Sequence, residues 1–193
     1  MKSVCIFAGS SLGRNISYKE TAVQLGEALF QNDYSMVYGG GSVGLMGVIA
    51  DAVLNSGGKV TGVITRKLKD VEVGHKDLTK LIVVDSMHER KLKMADLSDA
   101  IISLPGGVGT WEEFFEALAW NQLGIHSKPI ILLNVDNYYK DLYAFAEKAC
   151  SLGFLPNSTL EDLFLLSSVQ EAINTIKNFE PKDNSEWFKR LKE

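Results

Sequence analysis

The chain has 193 residues, a formal net charge of −4 and 46% hydrophobic residues, which is the size and composition of one globular domain. Its acidic balance argues against a nucleic-acid binder that neutralises many phosphates, and no apolar run approaches the ~20 residues that span a membrane. The two cysteines, Cys5 and Cys150, lack metal-ligand spacing, and the N-terminus is too short and too lightly charged for a signal peptide, so we expect a reduced, cytoplasmic protein.

Short apolar runs alternate with longer segments of helical period along the chain, a pattern typical of a parallel sheet covered by helices. The predicted strands are residues 3–8, 35–38, 59–64, 80–84, 100–104 and 130–134, with a seventh candidate at 163–166. The predicted helices are residues 18–31, 43–55, 87–97, 111–123, 138–152 and 169–178. We therefore expect an α/β three-layer sandwich with six or seven parallel strands in one domain, residues 1–180, followed by a polar tail, residues 181–193.

Ten of the 17 glycines fall in three turns that each follow a predicted strand and precede a helix. In a parallel sheet these turns meet at the carboxyl edge, where glycine lets backbone N–H groups approach an anion at a helix N-terminus. Tight turns need glycine for their own sake, but three clusters on one edge favour a phosphate-bearing ligand. The three clusters are Gly9 and Gly13; Gly39, Gly40, Gly41, Gly44 and Gly47; and Gly106, Gly107 and Gly109.

The middle glycine cluster matches two nucleotide-binding motifs incompletely. Residues 39–44 fit G-x-G-x-x-G, but no acidic residue follows about 20 positions later to hold a ribose hydroxyl. Leu45 and Met46 stand where a P-loop needs Lys and Ser or Thr. An NAD(P) enzyme therefore stays an alternative, although the chain lacks the acidic side chain that would bind the ribose in such an enzyme.

The third cluster leads into a predicted helix that carries Glu112 and Glu113 in its first turn. Thr110 and Glu113 have the spacing of a capping box, which is one interpretation of Glu113. The other interpretation is catalytic, because Glu113 shares a stripe with Ala117 and Trp120 on a helix that is apolar almost all round. A carboxylate against such a face is desolvated, as suits a general acid or base.

A second polar anomaly lies in the segment 86–91, which begins with its own capping-box spacing from Ser86 to Glu89. Arg90 and Lys91 lie in or beside the apolar stripe of the helix that follows, and unpaired cations are rarely buried. Either their side chains extend to solvent, or both point into an anion site at the carboxyl edge. The three histidines show no metal-binding spacing, so we assign no metal.

Four segments together resemble the LONELY GUY (LOG) family over nearly the whole chain, to about Phe154. The resemblance implies a Rossmann-like homodimer that hydrolyses the N-glycosidic bond of nucleoside 5′-monophosphates, cytokinin riboside monophosphates and AMP among them, without a cofactor. The older family label, lysine decarboxylase, has no support here, because no pyridoxal-phosphate site pattern is visible. The segments are residues 39–47, 87–91, 105–113 with the pattern P-G-G-x-G-T-x-x-E, and 120–129.

The resemblance also implies residue roles. Arg90 and Glu113 match the catalytic pair, and the amides of residues 107–110 are expected to hold the 5′-phosphate. Thr65 stands where many relatives have proline, on the segment leading to the base-recognition residue Glu72. The expected substrate-binding residues are Glu72, Lys91, Gly106, Gly107, Val108, Gly109, Thr110, Trp111 and Glu112, with Ser10, Gly40, Gly41 and Met87 beside them.

Two further expectations concern the assembly of the protein and an alternative function. The aromatic-rich helix from Trp111 to Trp120 is apolar on more sides than one domain covers, which predicts a homodimer. A noncatalytic nucleotide or cofactor carrier, similar to molybdenum-cofactor carriers, is the alternative function. The presence of both Arg90 and Glu113 favours the enzyme.

Overall fold

Seven parallel strands form one sheet in the computed structural model, which describes residues 2–71 and 74–181. The strand order is β4-β3-β2-β1-β5-β6-β7. The strands are β1 Ser3–Phe7, β2 Ser35–Tyr38, β3 Val60–Thr65, β4 Lys80–Val84, β5 Ala100–Ser103, β6 Ile130–Leu133 and β7 Leu163–Leu166. Each predicted strand is confirmed, the seventh included.

Helices connect the strands and cover both faces of the sheet, as parallel crossovers require. They are α1 Ile16–Gln31, α2 Gly44–Asn55, α3 Arg66–Val71, α4 Met87–Asp96, α5 Val108–Gln122, α6 Lys140–Ser151, α7 Ser158–Glu161 and α8 Val169–Asn178. A short 3₁₀ turn, Val135–Asn137, follows β6. The six predicted helices are present, and the α/β Rossmann-like fold is confirmed.

Alternation along the central strand sends its side chains into two apolar cores. Val4 and Ile6 of β1 pack on the face covered by α1, α2 and α8. Cys5 and Phe7 pack on the opposite face, against side chains from α4, α5 and α6. Because both faces are buried, the central strands are apolar throughout, and this made them recognisable in the sequence.

The order of the strands creates a crevice at the carboxyl edge of the sheet. The chain builds outward from β1 through β2 and β3 to β4, and then returns to place β5 on the other side of β1. Val4 is accordingly paired with Met36 on one side and Ala100 on the other. Ligands of open α/β sheets bind at such a reversal point, so the loops after β1 and β5 are where a site is expected.

Two short helices, α3 and α7, were not predicted from the sequence. The α3 helix begins directly after β3, where the Thr65 hydroxyl accepts a hydrogen bond from the Leu68 N–H at 3.3 Å. Thr65 therefore caps the start of α3.

Residues 182–193 lie outside the described residues, so the predicted tail and domain boundary stay predictions. Within the part of the chain that is described, no helix combines the length and apolar character needed to cross a bilayer.

Candidate active site

The loops after β1 and β5 touch at the reversal point because both carry glycine. The Gly9 N–H donates to the Pro105 carbonyl at 3.2 Å, and a Cβ on Gly9 would lie 3.0 Å from the Cα of Gly106. Beside this contact lies a cleft of about 190 Å³. The cleft is lined by Ala8, Gly9, Ser10, Met46, Arg90, Gly107, Val108, Gly109, Thr110 and Glu113.

One wall of the cleft is the N-terminus of α5, which begins earlier than predicted. Gly107 is the N-cap and provides no side chain, and the Trp111 N–H makes the helical bond to the Gly107 carbonyl at 3.1 Å. The first N–H groups of a helix have no partner within it. These amides, with the positive end of the helix dipole, are groups that can bind an anion at the cleft.

The predicted Thr110–Glu113 capping box is therefore wrong. Because α5 begins at Val108, Thr110 lies within its first turn and Glu113 in its second. Thr110 is buried, and a Cβ on Gly106 would lie 2.2 Å from its hydroxyl oxygen. The Thr110 side chain packs beneath the glycine turn, and Glu113 does not serve as the cap.

Arg90 lies opposite α5 and is 5% exposed. Its Nε donates to the Val63 carbonyl at 3.0 Å, and its Nη2 donates to the Gly39 carbonyl at 3.2 Å. Its Nη1 lies 3.5 Å from Oε1 of Glu113, whose side chain is 12% exposed. The two carbonyls thus orient the guanidinium so that its Nη1 faces the carboxylate of Glu113.

The carboxylate of Glu113 also affects the pKa of Cys5, a buried thiol in the core beneath the cleft. Burial raises the pKa of the Cys5 thiol well above its usual range, and the Glu113 carboxylate raises it further. Cys5 therefore stays a neutral thiol and is a packing residue rather than a nucleophile.

Lys91 differs from its neighbour Arg90, because it does not line the cleft. It is 7% exposed and its ammonium donates to the carboxylates of Glu112 and, at 3.0 Å, Glu116. Burial lowers the pKa of Lys91, but the hydrogen bonds and charges of the two carboxylates outweigh it and leave the pKa raised. The substrate-binding roles expected for Lys91 and Glu112 stay predictions, and their visible contact joins α4 to α5.

The other expected residues divide between the cleft and its surroundings. Met87 is 41% exposed, and its sulfur lies 3.9 Å from Arg90 Nη1. Trp111 is also 41% exposed. Ser10 and residues 107–110 line the cleft, while Gly40 and Gly41 lie buried in the turn after β2. Glu72 lies outside the described residues, so its role in base recognition stays a prediction.

The Ser86 cap predicted for α4 is present. Its hydroxyl accepts the Glu89 N–H at 3.1 Å, and the Glu89 carboxylate accepts the Asp85 N–H at 3.0 Å. Met46, which lines the cleft close to the middle glycine cluster, was not predicted as a site residue. Nor were Asp51 and His75, polar residues that contact each other beside the glycine turn after β2.

Comparisons with known proteins agree with this architecture. The family model described as "possible lysine decarboxylase" matches residues 46–176. A probable cytokinin riboside 5′-monophosphate phosphoribohydrolase of Oryza sativa subsp. japonica is 53% identical over 157 residues, 81% of this chain and 69% of that protein. Cytokinin riboside 5′-monophosphate phosphoribohydrolases of Arabidopsis thaliana and Rhodococcoides fascians are 43% and 45% identical, over 94% and 92% of this chain and 85% and 90% of theirs.

Solved structures share the fold at lower sequence identity. The X-ray structure of TM1055 aligns with a TM-score of 0.70 at 22% identity, covering 93% of this chain and all of that one (100%). The molybdenum cofactor carrier protein of Chlamydomonas reinhardtii aligns at 0.68 and 18% identity, covering 91% and 96%. These likenesses concern the fold alone. The family model over most of the chain and the relatives above 40% identity show that the chain belongs to the LOG family of cytokinin riboside 5′-monophosphate phosphoribohydrolases.

Proposed function

We propose that the protein hydrolyses the N-glycosidic bond of nucleoside 5′-monophosphates, including cytokinin riboside monophosphates and AMP, to a free base and ribose 5-phosphate. The observation that carries this proposal is the pairing of Arg90 with Glu113 across a cleft whose wall is a helix N-terminus. The names of the relatives support the same reaction.

The N-terminus of α5 would bind the 5′-phosphate. Gly107 and Gly109 have open space where a side chain would project, with no atom within 4 Å of an added Cβ. A phosphate can therefore approach the backbone N–H groups closely, and the helix dipole favours its charge. The net acidity of the chain does not oppose this, because the binding groups are local amides and Arg90.

A phosphate in this position places the ribose near Glu113. As the bond from C1′ to the base nitrogen breaks, positive charge develops on the ring, and a carboxylate stabilises an oxocarbenium-like transition state. Glu113 would also take a proton from the attacking water, whose oxygen bonds to C1′, while the departing base nitrogen takes up a proton from solvent and Glu113 returns its proton to solvent. Arg90 would orient Glu113 and the substrate through charge-assisted hydrogen bonds.

Glu113→Gln tests this assignment directly. The wild-type protein is expected to release free base from AMP and from isopentenyladenosine monophosphate, measured by chromatography of the products. Glu113→Gln removes the charge while keeping the shape, so we expect a loss of at least ~100-fold in kcat. Glu27→Gln, on the exposed face of α1, is the matched control and is expected to retain activity. Undiminished turnover by Glu113→Gln contradicts the assignment.

A noncatalytic carrier is the second candidate, because solved molybdenum-cofactor carriers share the fold. It predicts nucleotide binding without product, so the same assay separates the two functions.

An NAD(P) enzyme is the remaining alternative, although the chain lacks the acidic residue that would bind the ribose. Saturable binding of NADH in a fluorescence titration would support this alternative.

A homodimer also belongs to the proposal. An apolar groove of about 310 Å³ lies between α5 and α6. At its edges Phe115, Phe145 and Phe154 are 46%, 65% and 79% exposed. Large aromatic patches of this kind mark protein interfaces.

We also propose a cytoplasmic location, with which the two cysteines are consistent because both are free thiols.

A further inference from the structure

The turn after β2 is a structural support of Arg90. The Gly39 carbonyl accepts a hydrogen bond from Arg90 Nη2 at 3.2 Å. A Cβ on Gly39 would lie 2.0 Å from that nitrogen, so the guanidinium rests directly on the backbone of the turn. A displacement of the turn therefore shifts one of the two carbonyls that hold the guanidinium facing Glu113.

Two hydrogen bonds and one β-bridge hold the turn in place. The buried Tyr38 hydroxyl donates to the Gly41 carbonyl at 3.1 Å. The His75 backbone N–H donates to the Gly40 carbonyl at 3.0 Å, and Gly41 forms an antiparallel bridge with Gly74. Gly40 has a φ of +79°, a conformation that glycine adopts readily, and the three glycines of the turn have no side chains that could fix its position. The contacts from outside the turn thus determine its position.

The side chain of His75 anchors these contacts to α2. It is 7% exposed, its Nδ1 accepts the Asp77 N–H at 3.2 Å, and its Nε2 lies 2.9 Å from Asp51 Oδ1. Because Nδ1 is an acceptor in the neutral ring, Nε2 carries the proton and donates to Asp51. Both ring nitrogens are engaged, and the loop 74–77 is tied to α2 through one carboxylate.

We propose that Asp51 and His75 are positioning residues for the reaction, acting through the Gly39–Gly41 turn on the guanidinium of Arg90. The connection runs from Asp51 to the His75 ring, from the His75 N–H to Gly40, and from the Gly39 carbonyl to Arg90. Neither side chain is among the residues that line the cleft. This inference rests on the proposed function, in which Arg90 and Glu113 act on the ribose.

Removing the anchor is expected to change turnover more than binding. His75→Phe keeps the ring volume but loses both side-chain hydrogen bonds, and a misplacement of 1 Å at a reacting centre costs up to ~100-fold. We expect kcat for AMP to fall by ~10- to 100-fold, with KM changed by less than about threefold, because the phosphate surface lies on α5. His75→Gln retains a donor near the position of Nε2 and is expected to recover most of the lost kcat.

Two comparisons separate positioning from general destabilisation. Ile176→Ala, buried in α8 away from the cleft, is expected to lower the melting temperature without lowering kcat. In an Arg90→Lys background, where the two carbonyls no longer hold a guanidinium, His75→Phe is expected to change kcat by less than about twofold, because coupled residues are not additive.

Equal loss of kcat from His75→Phe in both backgrounds overturns the inference, and so does unchanged kcat in the single variant. If His75→Phe does not fold, Asp51→Ala, which removes the acceptor of the His75 Nε2–H, takes its place: a drop in kcat that is equally large in the wild-type and Arg90→Lys backgrounds contradicts positioning through Arg90, and so does an unchanged kcat of Asp51→Ala alone. A wild-type protein without nucleotide hydrolysis contradicts the proposed function itself, whereas an active wild type with an unaffected His75→Phe contradicts only the positioning role.

Discussion

Glu113 is a charge on the apolar stripe of its helix, and Arg90 is a charge at the border of the stripe of its own helix. Burial of a charge without a partner is costly, so such a position in a sequence indicates a partner or a ligand. The structure provides the partner, since Arg90 Nη1 and Glu113 Oε1 lie 3.5 Å apart. Lys91 shows the same sequence signal but pairs with Glu112 and Glu116. The local pattern thus identifies a buried charge without identifying what it faces.

Gly39 provides a test at the scale of one residue. An added Cβ would lie 2.0 Å from Arg90 Nη2, so Gly39→Ala must displace either the guanidinium or the turn. We expect kcat for AMP to fall by at least ~10-fold, measured by base release.

Gly57→Ala is the control for this variant. Gly57 has a φ of +94° and lies in the turn that leads to the amino end of β3. The substitution is strained and is expected to lower stability by about 1 kcal/mol without changing kcat. Full activity of Gly39→Ala would contradict the contact between Gly39 and Arg90.

The helices and strands were more predictable than their ends. The central strands were found because they are buried on both faces, and α8 because its apolar residues recur with helical period. The start of α5 was misplaced by three residues, since Trp111 was the expected first residue and Val108 is the actual one. Gly107 and Val108 carry no polar side chain that would mark the start of a helix in the sequence. The start of α5 is instead determined by the close contact between Gly9 and Gly106.

The contact between α4 and α5 depends on Lys91. Its ammonium is buried and bonded to Glu112 and Glu116, whose side chains are 51% and 22% exposed. Lys91→Met leaves two carboxylates without their cation, so we expect the free energy of unfolding to fall by about 1–3 kcal/mol, measured by urea denaturation. Lys93→Met, on the exposed face of the same helix, should change it by less than about 0.5 kcal/mol. An unchanged stability of Lys91→Met would mean that the pairing contributes nothing.

At the scale of the whole molecule, the aromatic groove between α5 and α6 extends the expectation of a homodimer. The helix predicted to be apolar all round buries Phe114 in the core but leaves Phe115 46% exposed. The excess of apolar surface was thus visible in the sequence, whereas the contribution of Phe145 from α6 became visible only in the folded chain.

Light scattering tests the dimer. At micromolar concentration we expect a mass of twice the 21.3 kDa chain. Phe145→Glu places a charge in the apolar groove and is expected to shift the mass to the monomer. Ile16→Glu changes an apolar side chain that is 62% exposed outside the groove and should leave the dimer intact. A monomeric wild type would contradict the proposal.

By itself, the sequence determined the alternation of strands and helices, the edge of the sheet that carries the glycine turns, and two of the charges at the cleft. These features are local, because burial on both faces, turn geometry and helical period leave their pattern in neighbouring residues. Only the tertiary structure decided that Arg90 faces Glu113 while Lys91 does not enter the cleft, and that Asp51 and His75 hold the turn beneath Arg90. Those contacts join residues far apart in the chain, and their geometry depends on how the strands are ordered in the sheet.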